Sequence, residues 1–77
     1  MVFPSVKSQH LLAVLKKEPL GYQITRQSGS HRTLESPNGY PKLGFSFHDG
    51  VTVPSGLVRK ILVKDVGLSE AEALDLL

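Results

Sequence analysis

The sequence predicts a small α+β domain in the order α-β-β-β-α, with a three-stranded antiparallel sheet, helices on one of its faces, and a short helix at the C-terminal end. Three observations predict it. Apolar residues recur at helical spacing near both ends of the chain, at Leu11, Val14 and Leu15 and again at Leu57, Val58, Ile61, Leu62 and Val66. Between them lie three short runs of strand character. Those runs are joined by turn formers, Ser28-Gly29-Ser30 and Ser36-Pro37-Asn38-Gly39, and connections this short imply antiparallel neighbours. At 77 residues the chain is one domain, 1–77, without repeats or linkers.

The first helix starts at Ser5 or Ser8 as cap and runs through His10 to Lys17, with Lys16 and Lys17 in its last turn complementing the helix dipole. Pro19 and Gly21 stop it. Tyr22 to Gln27 reads as a half-buried strand, Tyr22 and Ile24 inward, Gln23 and Thr25 outward. His31 to Glu35 forms the next strand. With Leu34 inward, period-two alternation turns Arg32 inward and His31, Thr33 and Glu35 outward, although an edge position lets the long Arg32 stem reach around. Leu43 to Phe47 is the third strand, followed by a turn at His48-Asp49-Gly50 and a short extended piece, Val51-Thr52-Val53. The second helix follows Pro54-Ser55-Gly56 and ends at Gly67. Ser69 and Glu72 match a capping box for the last helix, anchored by Leu74 and Leu77.

Charge is distributed unevenly. All nine basic residues lie at or before Lys64, opposed there only by Glu18, Glu35 and Asp49, while the last thirteen residues carry four carboxylates. A basic body of this kind suits a polyanion such as nucleic acid. There is no cysteine, which removes disulfides and thiolate zinc sites. Three histidines spread over helix, strand and turn make a poor metal site, so no metal and no cofactor are expected. No apolar run is long enough to span a bilayer and the N-terminal residues lack a secretion-signal layout, so no membrane association is expected and a cytoplasmic location is.

Residues 28–32, Ser-Gly-Ser-His-Arg, carry the chemistry. The Gly29-Ser30 turn presents His31 and Arg32 at a strand start. Histidine takes and gives protons near neutrality, and arginine fixes a phosphate. The pairing points to chemistry on a nucleic-acid backbone. His48 is a secondary candidate whose alternative is a plain turn residue. Lys16, Lys17, Arg59, Lys60 and Lys64 are candidate phosphate contacts, each of which alone reads more readily as part of a solvated helix face.

These pieces resemble the HicA-type toxins, small ribonuclease halves of bacterial toxin–antitoxin pairs. The matching residues are Gly21-Tyr22, Arg26-Gln27, Gly29-Ser30-His31-Arg32, Pro37-Asn38-Gly39, His48-Asp49-Gly50, Pro54 to Leu62 and Val66 to Glu70. The chain departs from the family pattern after its third strand, where a proline is absent and Phe45-Ser46-Phe47-His48-Asp49-Gly50 stands. The resemblance implies a fold like that of double-stranded-RNA-binding domains and cleavage of messenger RNA, with His31 as the catalytic residue. It also implies a HicB-type antitoxin as partner. In that frame Arg26, Ser30, Arg32, Lys16, Lys17, Arg59 and Lys60 are the expected RNA contacts, with Arg26 or Arg32 stabilising charge on the phosphoryl oxygens. The alternatives are a non-catalytic RNA-binding module of similar fold and a protein-interaction unit docking through the acidic tail.

Overall fold

The computed structural model describes residues 2–48 and 50–77. The chain runs β1 (Val6–Lys7), α1 (Ser8–Lys16), β2 (Gln23–Ser28), β3 (His31–Glu35), β4 (Leu43–Phe45), β5 (Thr52–Val53), α2 (Ser55–Arg59), a π-helical turn (Lys60–Asp65) and α3 (Glu70–Leu76). The predicted α+β class, the antiparallel sheet β2-β3-β4 and the three helices are all present, an arrangement like that of double-stranded-RNA-binding domains. Among the described residues, no helix is long and apolar enough to cross a membrane.

Leu11, Val14 and Leu15 bury the stripe of α1, as their spacing requires. The start of the helix differs from the expectation of a serine cap. Lys7 holds the N-cap position without a side-chain bond, and Ser8 is the first helical residue. The reason lies in a tertiary pairing the sequence does not announce: β1 and β5 form a two-residue antiparallel ladder, Val6 opposite Val53 and Lys7 opposite Thr52. That ladder runs into the helix through the Ser8 N–H, which donates to the Val51 carbonyl at 2.8 Å. Ser8 is thereby buried, and its hydroxyl donates to the His48 carbonyl at 2.6 Å instead of capping. At the other end, Lys16 closes α1 and Lys17 has already left helical geometry.

One sheet face carries the core. Ile24, Leu34 and Leu43 align across the three strands, with Phe45 opposite Arg32 on the same face. Against Leu34, Leu43 and Phe45 pack Leu11, Val14 and Leu15 of α1, Val58 of α2 and Leu62 of the π-helical turn in one buried cluster. A register shift between Ile24 and Arg26 makes Thr25 a bulge. β4 ends at Phe45, two residues earlier than expected, and the half-buried Phe47 instead packs edge-to-face on Phe45 with ring centroids 5.3 Å apart. The expected turn after it includes Asp49, outside the described residues; the Val51 N–H donates to the His48 carbonyl at 3.3 Å.

The helical segment starting at Ser55 widens at Lys60, where the Val66 N–H reaches back five residues to the Ile61 carbonyl at 2.9 Å. Val58, Ile61, Leu62 and Val66 are buried as expected, but Leu57 is 40% exposed, because the buried stripe centres on Val58 and Leu62 and leaves the first turn outside. The capping box at α3 is complete: the Glu72 N–H donates to Ser69 Oγ at 3.1 Å, and the Ser69 N–H donates to Glu72 Oε1 at 3.2 Å. Ala73 is the fully buried anchor of α3, while Leu74 and Leu77 pack on the core from its rim.

Candidate functional site

The β2–β3 hairpin closes on two residues. Gly29 has φ +61°, Ser30 does not, and Ser28 faces His31 across the ladder, the pattern of a type II′ turn. Gln27 braces the tip, its Nε2 donating to the Gly29 carbonyl at 3.2 Å. His31 therefore stands exposed at the first position of a strand whose backbone is held on both sides, by β2 and β4.

The bulge decides what shares a face with His31. In an unbroken strand Arg26 would lie on the side of Tyr22 and Ile24. With Thr25 taking up one residue, Arg26 pairs with Thr33 on the outer face, and Gln27 pairs with Arg32 on the inner face. The outer face thus presents Ser28 directly opposite His31, and Arg26 on the diagonal from it, a separation of roughly 7–8 Å between Cα atoms. His31 and Arg26 thus share the outer face near the hairpin tip. Neither makes a side-chain hydrogen bond or ion pair among the described residues. Gly44, opposite Thr33, leaves the middle of this face without a side chain. Farther along, Thr25 Oγ1 donates to Glu35 Oε2 at 2.7 Å. Glu35 lies four residues from His31, roughly 13 Å along the strand, too far to share one reacting group.

Arg32 points the other way, as alternation predicts. Together with Lys16 and Gln27 it lines a cleft between α1 and the inner face of β2–β3, with a volume of about 340 Å³. Lys17 is exposed and does not line it. Ser30, in the turn, is half-buried. Arg59 and Lys60 are brought to carboxylates instead: Arg59 Nε lies 3.8 Å from Glu70, and Lys60 Nζ 3.3 Å from Asp65, a pair five residues apart made possible by the π-winding. His48 leaves the sheet beyond β4, its carbonyl holding the Ser8 hydroxyl and the Val51 N–H, so its backbone ties the loop to the start of α1. Among the described residues no group of three or more histidine and acidic side chains is arranged to hold a metal.

Sequence reasoning placed His31 outward and Arg32 inward but treated the two arginines as interchangeable. It missed Gln27 as a cleft residue and the buried Ser8–His48 bond. The polar run after Ile24 carries no apolar marker that would have revealed the slipped register.

No curated protein sequence and no solved structure matches the chain. The family model described as HicA toxin of bacterial toxin–antitoxin matches residues 8–68, from the first residue of α1 to just beyond the π-helical turn. With that span covering most of the 77 residues, the chain belongs to the HicA toxin family, the toxin halves of bacterial toxin–antitoxin pairs, whose activity is of the nuclease kind.

Proposed function

We propose that this toxin is an endoribonuclease that cuts messenger RNA with His31 as its proton-transfer group and needs no metal to do so. RNA supplies its own nucleophile. When a base removes the proton of the 2′-hydroxyl, that oxygen attacks the adjacent phosphorus, the bond to the 5′-oxygen breaks, and the departing oxygen takes up a proton. The products are a 2′,3′-cyclic phosphate and a 5′-hydroxyl. His31 serves as the base that accepts the first proton or the acid that delivers the second, a contribution of about 10²–10⁴-fold.

The observation that carries this reading is the composition of the outer sheet face: an exposed histidine with Arg26 on its diagonal and an open, glycine-floored surface beside it. Arg26 is accordingly the residue that meets the charge developing on the phosphoryl oxygens, and Arg32, on the opposite face, is not. A HicB-type antitoxin is the partner that holds the toxin inactive.

The test compares purified wild type with His31→Ala on an end-labelled single-stranded RNA in the presence of EDTA. Cleavage by wild type alone, leaving cyclic-phosphate ends, is expected. RNA bound by both proteins and cut by neither would leave a binding module and overturn the assignment.

A further inference from the structure

We propose that Gly44 marks where the substrate comes down onto the protein: the ribose–phosphate backbone of the RNA crosses the outer face of the sheet directly over this residue, next to His31. The proposal rests on the reading of RNA as substrate and extends it to a named contact on a neighbouring strand. Nothing in the fold calls for a glycine here. Five of the seven glycines have positive φ, and Gly44 is not one of them, so its backbone is open to any residue. Packing is not the reason either, because Gly44 is exposed and a Cβ there would meet nothing within 4 Å. Yet it sits in the middle of β4, where glycine weakens a strand and leaves Thr33 opposite it without a cross-strand partner. A strand-interior glycine that neither backbone nor packing requires fits a place where another molecule approaches the strand closely.

The neighbours of Gly44 say what that molecule is. Thr33 lies between Arg26 on β2 and Gly44 on β4, so the three form one row across the sheet. His31, two residues before Thr33 on the same face, has Arg26 on one diagonal and Gly44 on the other, each roughly 7–8 Å away between Cα atoms. A cation therefore stands on one side of the histidine and a gap on the other. With one phosphate held at Arg26 and His31, the adjoining backbone runs over the gap. β4 is an edge strand, so the RNA leaves the face beyond Gly44. Glu35 bounds the path: its carboxylate, which accepts from Thr25 Oγ1 at 2.7 Å, repels phosphates and keeps them to the His31 side. The part of the RNA lying here is backbone and not base. Among the described residues of the three strands, the one phenyl or phenol ring is that of Phe45, buried on the inner face. The outer face offers a cation and hydroxyls, which suit phosphate and ribose, in place of an aromatic platform for stacking.

The experiment uses the full chain and reads stability and RNA handling side by side. Gly44→Ala and Gly44→Thr are each expected to raise Tm, by roughly 2–8 °C for alanine, because nothing in the free protein opposes the added side chain. In a His31→Ala parent, fluorescence anisotropy with a 5′-labelled single-stranded RNA should show binding weakened about tenfold by Gly44→Thr and less by Gly44→Ala. In the wild-type background Gly44→Thr should lower kcat/KM roughly 10²-fold, since about 1 Å of displacement of the reacting group suffices. Gly56→Ala is the control. Gly56 also lacks a positive φ and has nothing within 4 Å of a Cβ, but it lies in α2, on the helix-covered side of the sheet. Gly44→Thr binding and cutting RNA as its parents do would overturn the proposal, as would an equal loss with Gly56→Ala. A Tm lowered by either Gly44 substitution would also overturn it, because the fold itself would then need the glycine. If the Gly44 variants lose the antitoxin and keep the RNA, the residue belongs to a protein-docking surface and the proposal is wrong. A wild type that binds RNA without cutting it refutes the catalytic role of His31 alone, and the binding series still decides Gly44.

Discussion

Two glycines with nearly the same backbone angle offer a controlled test of how the hairpin and its neighbouring turn are built. Gly29 has φ +61° and Gly21 has φ +63°, both in the left-handed region that costs an L-residue about 1–2 kcal/mol. Alanine also restricts the unfolded chain, which offsets roughly 0.4–1 kcal/mol of that. At Gly29 a Cβ meets nothing within 4 Å, so Gly29→Ala should destabilise by about 1 kcal/mol from the backbone alone. At Gly21 a Cβ would stand 2.8 Å from Asn38 Nδ2. That amide donates to the Pro19 carbonyl at 2.8 Å and to Glu18 Oε2 at 3.2 Å, and it must abandon both positions to make room. These bonds are exposed, so their loss adds about 1 kcal/mol together, near the low end for each. Gly21→Ala should therefore cost about 2 kcal/mol. For a domain of this size each kcal/mol lowers Tm by about 4–8 °C, a difference that thermal melts followed by circular dichroism resolve easily. The double variant makes the test sharper. With Asn38→Ala already present, Gly21→Ala should fall to the cost of Gly29→Ala, because the collision has gone. Equal melting shifts for the two single variants, or no coupling between Gly21 and Asn38, would refute the account of the Pro37-Asn38-Gly39 turn docking onto Gly21.

Two further outcomes follow from the core. Leu62→Ala, at a fully buried position in the π-helical turn, should cost about 2–5 kcal/mol in urea denaturation, which for a chain this short removes a large part of its total stability; a cost below about 1 kcal/mol would mean the turn is not packed as described. Burial, with Tyr40 beside it, raises the Tyr22 pKa above the ordinary 10.0, so the fold favours the neutral phenol. Stability is then complete below 10.0 and falls as pH rises from there toward the folded value, because the unfolded chain ionises first. Tyr22→Phe should flatten that alkaline fall in Tm, while losing at neutral pH the bond that the phenol donates to the Pro41 carbonyl at 2.5 Å; an unchanged alkaline slope would refute the assignment to Tyr22.

The parts of the structure that were legible in the sequence are those decided within a few residues. The Ser69–Glu72 capping box and the stripe of α1 depend on spacing alone, and the structure has both. His31 outward and Arg32 inward follow from Leu34 and period two, with no tertiary information required. The parts that were hidden depend on partners distant in sequence. β1 is two residues long and exists only because β5 lies beside it, and that pairing turns Ser8 from a cap into a buried donor to a carbonyl 40 residues away. Leu57 fits a helical stripe by spacing yet is exposed, because the core lies under Val58 and Leu62.

The bulge at Thr25 joins these two kinds of information, since it is local in structure and invisible in pattern. Read continuously, Tyr22 to Ser28 alternates correctly only as far as Ile24. With Thr25 set aside, the run becomes Tyr22 in, Gln23 out, Ile24 in, Arg26 out, Gln27 in and Ser28 out, which is the observed ladder. The pattern was present in the sequence, displaced by one residue that nothing marks, because Thr25, Arg26 and Gln27 are all polar and tolerate either face. What fixes the displacement is the pairing partner: Leu34 must face Ile24 to bury both, and the two-residue turn must put Ser28 opposite His31. Counting inward from those two constraints leaves β2 one residue longer than β3 requires, and the surplus is expelled where a threonine can bond Glu35 across the strand. The same surplus residue sends Arg26 to the histidine and Gln27 to the cleft. The division of the hairpin into a face with His31 and Arg26 and a face with Gln27 and Arg32 is thus a consequence of strand length, set by the distance between Ile24 and the Gly29 turn.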